Sequence, residues 1–479
     1  MEYLLFVVPL AMALVAFLIP SNVWRPKLLP LGGVMHLGLV YYAIFQMPQP
    51  VTGLYGWLFL DSLDKVVLGF QSVLFLIWAW DAPAYLAVRR ERPNRVFCAC
   101  LFAVQAAMTV VCLSHHLGLM WVAMEATTLA SAPLLYFNHN ARSLEATWKY
   151  LLIGSVGIAI ALLGSLFLAY SALQGGLEST LFFDELVRVA PRLSAPWLHA
   201  AFIFLFIGYG TKMGLAPMHS WKPDAYGEAP GLVGTVLAGG VTSCAFIAIL
   251  RIYQIMRASS EADFAREIMI FMGLLSIAFA AIFMVRQRDF KRMLAYSSVE
   301  HMGILVLGIG IGGLATYGVL LHLINNGLTK AVLFLSAGNI HRAYGSKLTD
   351  KVFGALRRVP ASGALFLAGF FAITGAPPFG PFISEFTIIS AAFGSRQFLV
   401  GGLLLVMLAA VFIGMGATVL AVVQGTPPES SPAQGYRDTV AMVAPIVMAL
   451  LIVLLLGIYI PPPLETLLRE AADYLEVRR

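Results

Sequence analysis

The chain has 479 residues, of which 59% are hydrophobic and 12% charged, with a mean hydropathy of +0.83. No water-soluble core could bury that apolar fraction, so these numbers exclude a soluble enzyme and point to an integral membrane protein. The net charge of +6 does not indicate a nucleic-acid partner, because the basic residues lie in short loops between apolar runs, where they set orientation in the bilayer.

Apolar runs long enough to span a bilayer occur at about 2–20, 28–47, 59–80, 95–113, 115–136, 147–172, 197–225 (broken), 230–256, 266–285, 301–316, 317–341, 361–393 (broken), 397–424 and 439–461. The expected fold class is therefore an all-α integral membrane protein with about 14 transmembrane helices. The run from Tyr3 to Pro20 lacks a basic leader and a small-residue cleavage site, so it reads as a retained first helix. The adjacent runs 301–316 and 317–341 could be divided differently. The loop 173–196 and the tail 462–479 are amphipathic enough for short surface helices, and 426–435 is a plain polar loop. With the N-terminus outside, the inward loops carry nineteen of the 31 lysines and arginines, Lys222 among them, and the outward segments carry eight. Lys65, Lys212, Arg251 and Lys330 fall within spans. This bias puts both termini outside.

Cys98, Cys100, Cys112 and Cys244 all fall in apolar runs without a C-x-x-C or Cys/His cluster, so no metal, iron–sulfur centre or disulfide framework is expected. No phosphate-binding glycine loop appears either. If electrons or ATP drive this protein, another polypeptide handles them.

The stretch 206–231, FIGYGTKMGLAPMHSWKPDAYGEAPG, puts Lys212 in the middle of an apolar run, with Pro217 breaking the helix five residues later. His219, Lys222, Asp224 and Glu228 follow. A charge at bilayer depth costs at least ~2.5 kcal/mol, and a proline there frees a backbone carbonyl that only protein or water can satisfy. Together they make an ion or proton path the leading expectation. A second break lies in 361–393, where Pro377, Pro378 and Pro381 precede Glu385. The breaks fall in the fourth span of each of two five-span blocks, a pointer to inverted repeats with a path at their interface. The expected division is 1–94 (spans 1–3), 95–256 (first repeat), 257–424 (second repeat) and 425–479 (span 14 and tail).

Glu125 stands near the middle of the fifth span. A lone carboxylate there must be neutral or paired, and Lys212 is its natural partner; a pair that opens and closes can release and recover a proton. The second block supplies His322 and Lys330, eight residues apart on roughly one helix face, with Glu385 in the same block. Glu300 and His301 are expected at the mouth of the tenth span, as an access point or a cap. Asp61, Asp64 and Lys65 read as a local group, with Asp61 and Lys65 an i, i+4 pair.

GYGTKMGLAPMHSWKPDAYGEAPG, LAYSSVEHMG, HLINNGLTKAVLFLSAG and TGAPPFGPFISEF resemble the antiporter-like membrane subunits of respiratory complex I, Mrp-type cation/proton antiporters and membrane-bound [NiFe] hydrogenases. LEATWKYLLIGSVGIAIALLG and YSSVEHMG look most like the F-type branch of the hydrogenase-4 membrane subunits. The resemblance covers about 59 to 461. It implies fourteen helices, two inverted five-helix repeats with broken helices, and proton translocation along a buried axis in a bacterial or archaeal cytoplasmic membrane. By position, Glu125 and Lys212 match the family's glutamate–lysine pair, His322 its relay histidine and Glu385 its terminal charged residue. Iron–sulfur clusters, a nickel–iron centre or quinone would belong to partner subunits. The protein would bind the lipid bilayer, further membrane subunits and soluble redox subunits, and move protons or Na+. Two positions depart from the family. Ser243 stands where many relatives have a lysine, and Asn326 where some have a second histidine. A link between the halves would run through water held by Thr242, Ser243 and Asn326, or be broken. The same residues also fit an ion-flux subunit of an inorganic-carbon-uptake complex or a module of a cation/proton antiporter; the charges within spans argue against a purely structural scaffold.

Overall fold

A computed structural model describes residues 3–47, 51–427 and 436–476; most of the polar loop 426–435 lies outside them. The helices in chain order are α1 (Leu4–Leu18), α2 (Leu28–Phe45), α3 (Ser62–Ala87), α4 (Arg95–Leu113), α5 (Leu117–Leu135), α6 (Ala141–Gln174), α7 (Phe183–Val189), α8 (Ala195–Met213), α9 (Trp221–Glu228), α10 (Gly231–Thr235), α11 (Thr242–Ala258), α12 (Ala262–Met284), α13 (Phe290–Ile311), α14 (Leu314–Tyr344), α15 (Ala355–Arg358), α16 (Pro360–Ile373), α17 (Gly380–Gly394), α18 (Phe398–Val423), α19 (Val440–Ile458) and α20 (Pro462–Glu476). Among the described residues, 11 helical segments are long and apolar enough to cross a bilayer unaided. The helix α1, the α8/α9 segment and the α16/α17 segment complete the fourteen expected crossings. A short two-stranded ribbon, Val51–Gly53 with Leu58–Leu60, joins α2 to α3 in this otherwise helical bundle.

Depth in the bundle follows composition. The helices α11, α13 and α14 carry serine, threonine, asparagine, histidine and charge, and almost every residue on them is buried. Helices α1 and α18 are almost wholly apolar and present Leu18, Leu399, Val406 and Ile413 outward, where lipid replaces water as solvent. Close helix packing runs through small residues: a Cβ on Gly208 would lie 2.6 Å from the backbone of α6, and one on Gly273 2.8 Å from the Gly303 carbonyl. A π-helical stretch, Val236–Val241, joins α10 to α11 within one continuous crossing.

The tenth crossing starts at Phe290 rather than 301. The charged run at 286–303 reads as a loop by composition, yet Asp289 caps a helix there, accepting from the Lys291 and Arg292 amides at 2.9 and 3.1 Å. Lys291 turns inward to the Ala229 carbonyl. Glu300 and His301 are consequently buried in mid-helix, not at its mouth. The expected surface helices exist as α7 and α20.

Both interrupted crossings end on a glycine with positive φ. α8 stops at Met213, and Gly214 (φ 79°) turns the chain back so that the Leu215 amide reaches the Gly210 carbonyl at 2.9 Å. The Trp221 indole donates to the Thr211 carbonyl at 2.9 Å, and Ser276 accepts from the Ala216 amide at 3.0 Å, so side chains satisfy backbone groups freed by the break. After α16, Gly375 (φ 67°) plays the same part and the Ala376 amide reaches the Phe371 carbonyl at 2.9 Å. Pro217, Pro377 and Pro378 lie in the unwound segments; Pro381 opens α17.

Candidate functional site

At the first break, Glu125 on α5 accepts from the Ser155 hydroxyl of α6 at 2.6 Å and from Thr128 at 3.3 Å. Lys212, fully buried in the last turn of α8, donates to Thr128 Oγ1 at 2.6 Å and to the Tyr150 hydroxyl at 2.9 Å. Tyr150 shares a 2.7 Å hydrogen bond with Ser131. The two expected partners are therefore neighbours, but not in contact: the hydroxyl of Thr128 stands between carboxylate and ammonium. An ammonium has three donors and no acceptor, so hydroxyls that can both accept and donate are the groups able to pass a proton onward.

At the second break the expected residues converge more tightly. His301 Nδ1 lies 3.0 Å from His322 Nε2, and His322 Nδ1 lies 2.9 Å from the Ser384 hydroxyl, which itself donates to the Pro381 carbonyl at 3.0 Å. Ser384 thus accepts, His322 carries its proton on Nδ1, and its Nε2 lone pair takes the proton of His301 Nδ1. Two imidazoles in this order form a directed hydrogen-bonded wire. The Glu385 carboxylate comes within 4.0 Å of His301 Nδ1 on one side, and Glu300 within 3.8 Å of His301 Nε2 on the other. Lys330 donates to Ser297 at 2.8 Å. Glu385 folds back under the break, where a Cβ at Gly375 would lie 2.3 Å from its Oε2. His301 Nε2 and Glu385 Oε1 are buried without partners.

Other expected residues are not drawn into these chains. His219 packs among Phe279, Phe283 and Tyr296, and its Nδ1 has no hydrogen-bond partner. The hydroxyls of Thr242 and Ser243 donate back to Ala238 and Gly239 of their own helix at 2.7 and 2.6 Å. Asn326 Oδ1 has no partner. Lys222, a loop cation by its sequence surroundings, is instead fully buried on α9.

A further cluster joins charged residues that nothing in the sequence connects. Buried Arg251 on α11 binds Asp61 at 2.5 Å and Asp64 at 2.7 Å, so Asp61 is spent on Arg251 and the cap of α3 rather than on Lys65. His115 lies 3.5 Å from both carboxylates and 3.6 Å from Asp184 of α7. Burial and the Arg251 charge act to lower the His115 pKa, but the nearby carboxylates of Asp184, Asp61 and Asp64 outweigh them and raise it to about 10. The neighbouring His115 imidazole holds Asp184 below the ordinary carboxylate range. A cavity of about 740 Å³, lined by Asp61, Lys65, Asp184, Arg188 and Arg257, opens beside this cluster. At the other end of the bundle, Asp224 pairs with Lys149 at 2.8 Å and with Arg292, and Lys347 pairs with Glu228 at 2.6 Å. A cavity of about 480 Å³ lies over them.

Paired broken helices, each with a carboxylate, a buried lysine and hydroxyl groups around it, define the class of antiporter-like membrane subunits. The chain belongs to the family described as NADH:quinone oxidoreductase/Mrp antiporter, transmembrane, which matches residues 114–414. It is 37% identical over 368 residues to the hydrogenase-4 component F homolog of Methylacidiphilum infernorum, with 75% of each chain covered. It is 32% identical over 326 residues to NADH-quinone oxidoreductase subunit N of Desulforudis audaxviator, covering 68% of this chain and 63% of that one. In fold it resembles a chain of the Mrp complex from Dietzia, with a TM-score of 0.87 at 20% identity over 99% of this chain and 97% of that one. It is thus a multi-pass membrane protein whose relatives are subunits of multi-subunit membrane complexes.

Proposed function

We propose that this chain is the proton-translocating, antiporter-like subunit of a complex-I-related redox complex of the hydrogenase-4 type. It would sit in a cytoplasmic membrane with both termini outside. The observation that carries this reading is the pair of hydrogen-bonded chains at the two helix breaks, Glu125–Thr128–Lys212–Tyr150 and His301–His322–Ser384, the second with Glu300, Glu385 and Lys330 beside it. Such groups are costly at bilayer depth and are placed there by function. The division into 1–94, 95–256, 257–424 and 425–479 goes with it, the two middle segments each supplying one break. Redox chemistry, with its iron–sulfur, nickel–iron or quinone groups, falls to partner subunits. Similarity to a hydrogenase-4 component F homolog supports the choice of complex.

The test has two parts. Gentle purification of the native protein, with mass spectrometry of what accompanies it, is expected to recover hydrogenase-type subunits and iron–sulfur proteins. A soluble carbonic-anhydrase-like partner, or a set of small antiporter subunits, overturns the redox assignment. The intact complex in liposomes is expected to acidify or alkalinise the lumen when its electron donor is supplied, and to lose that flux on Lys212→Met. A flux carried by Na+ alone overturns the proton assignment.

A further inference from the structure

Within the described residues, the two chains meet at one point. Lys222 lies on α9, the half-helix that follows the first break, and its Nζ donates to Ser298 of α13 at 3.1 Å. The next residue back, Ser297, accepts from Lys330 at 2.8 Å. Two consecutive hydroxyls on one turn of α13 therefore hold a lysine from each half of the molecule. The Lys222 stem runs directly beneath the break: a Cβ on Gly214 would lie 2.3 Å from Lys222 Cε. On the first-half side, Lys212 is bonded to the Tyr150 hydroxyl. Tyr226, whose buried hydroxyl has no hydrogen-bond partner, packs edge-on against Trp221, which in turn lies 5.1 Å from Tyr150 between ring centroids, and Lys222 Nζ stands 5.8 Å from the Tyr226 ring. In the eighth crossing, Thr242 and Ser243 spend their hydroxyl protons on their own helix.

We infer that Lys222 is the ionisable link between the two half-paths, receiving a proton from the Lys212–Tyr150 side and passing it through Ser298 and Ser297 to Lys330. The inference rests on the proton-translocating reading given above. In the forward step a Lys222 ammonium gives its proton to the serine-lined gap and becomes a neutral amine. A proton arriving by way of Tyr150 and Tyr226 restores it. Repulsion between like charges makes simultaneous protonation of Lys222 and Lys330 costly, so the charge on one side is tied to the charge on the other. A structural lysine in the same place would need only to stay charged and bonded.

The experiment measures donor-driven proton flux of the intact complex in liposomes, with assembly followed by co-purification. Lys222→Met keeps the length of the stem and removes the titratable group; flux is expected to fall about 100-fold, within the range a positioned proton-transfer group contributes. Lys222→His restores a titratable nitrogen and is expected to recover part of the flux with a pH profile moved toward neutrality. Ser298→Ala leaves the lysine in place and is expected to lower flux without loss of assembly, which keeps the inference testable if Lys222→Met does not assemble. Assembled Lys222→Met or Ser298→Ala complexes with full flux, alongside a Lys212→Met complex with none, overturn the link while leaving the proton path standing. Full flux in Lys212→Met overturns the path itself.

Discussion

Thr128→Val tests whether the hydroxyl between Glu125 and Lys212 is part of the path or only a filler. Valine preserves shape and removes one polar atom. The substitution strips Lys212 of its 2.6 Å acceptor and leaves it Tyr150 at 2.9 Å; Glu125 loses its 3.3 Å donor and keeps Ser155 at 2.6 Å. A hydrogen bond to a charged group contributes about 1.5–3 kcal/mol. At about 1.4 kcal/mol per tenfold change, a transfer step that relied on this bond slows by roughly 10- to 150-fold. The fold should tolerate the change, since each partner retains a second hydroxyl. The assay is donor-driven proton flux in liposomes, with thermal stability of the complex measured alongside. A Thr128→Val complex of normal stability and undiminished flux, next to an inactive Glu125→Gln complex, would refute a hydroxyl-bridged route and require the two charges to meet directly.

Two further outcomes follow from the geometry. Gly375→Ala forces a side chain into left-handed backbone, which costs roughly 1–2 kcal/mol, and drives a methyl into the Glu385 carboxylate; lower thermal stability and reduced flux are expected together, and a variant unchanged in both would remove Gly375 from the account. The raised pKa of His115 means that its charge stabilises the docking of α7 fully below about pH 6.5, progressively less as pH rises, and not at all above about 10. Hydrogen exchange of residues 183–189, corrected for intrinsic rates, should therefore speed up between these limits in the wild type and show a flatter profile in Asp184→Asn; equal profiles would discount the His115–Asp184 pair.

The crossings are legible because each must present a bilayer's length of apolar residues, and the breaks because proline and charge rarely share such a run. Local polarity misleads. Residues 286–303 look like a loop because Arg286, Arg288, Lys291 and Arg292 crowd together, yet Asp289 caps a helix there and the following turns are buried by neighbours far away in sequence. Lys222 reads as a loop cation for the same reason, since α9 is too short and too polar to register as membrane helix. Thr128, Tyr150, Ser155, Ser297, Ser298 and Ser384 carry no signal at all: hydroxyl residues are common in apolar runs and acquire meaning only when a lysine or imidazole arrives from another helix. Arg251 stands out as an intramembrane charge, but its aspartates lie about 190 positions upstream, and no periodicity connects them.

The π-helical stretch at Val236–Val241 has a consequence for the end of the molecule that carries Arg251. An α-helix advances about 100° per residue, so one residue more in a turn rotates everything after it by that amount about the axis. Arg251 lies ten residues beyond this stretch and inherits the rotation. The aim of its guanidinium at Asp61 and Asp64 is thus a matter of phase, fixed by a widened turn near the middle of the crossing. The chain sets the orientation of a charge cluster at one membrane face by the winding of a helix deep inside it.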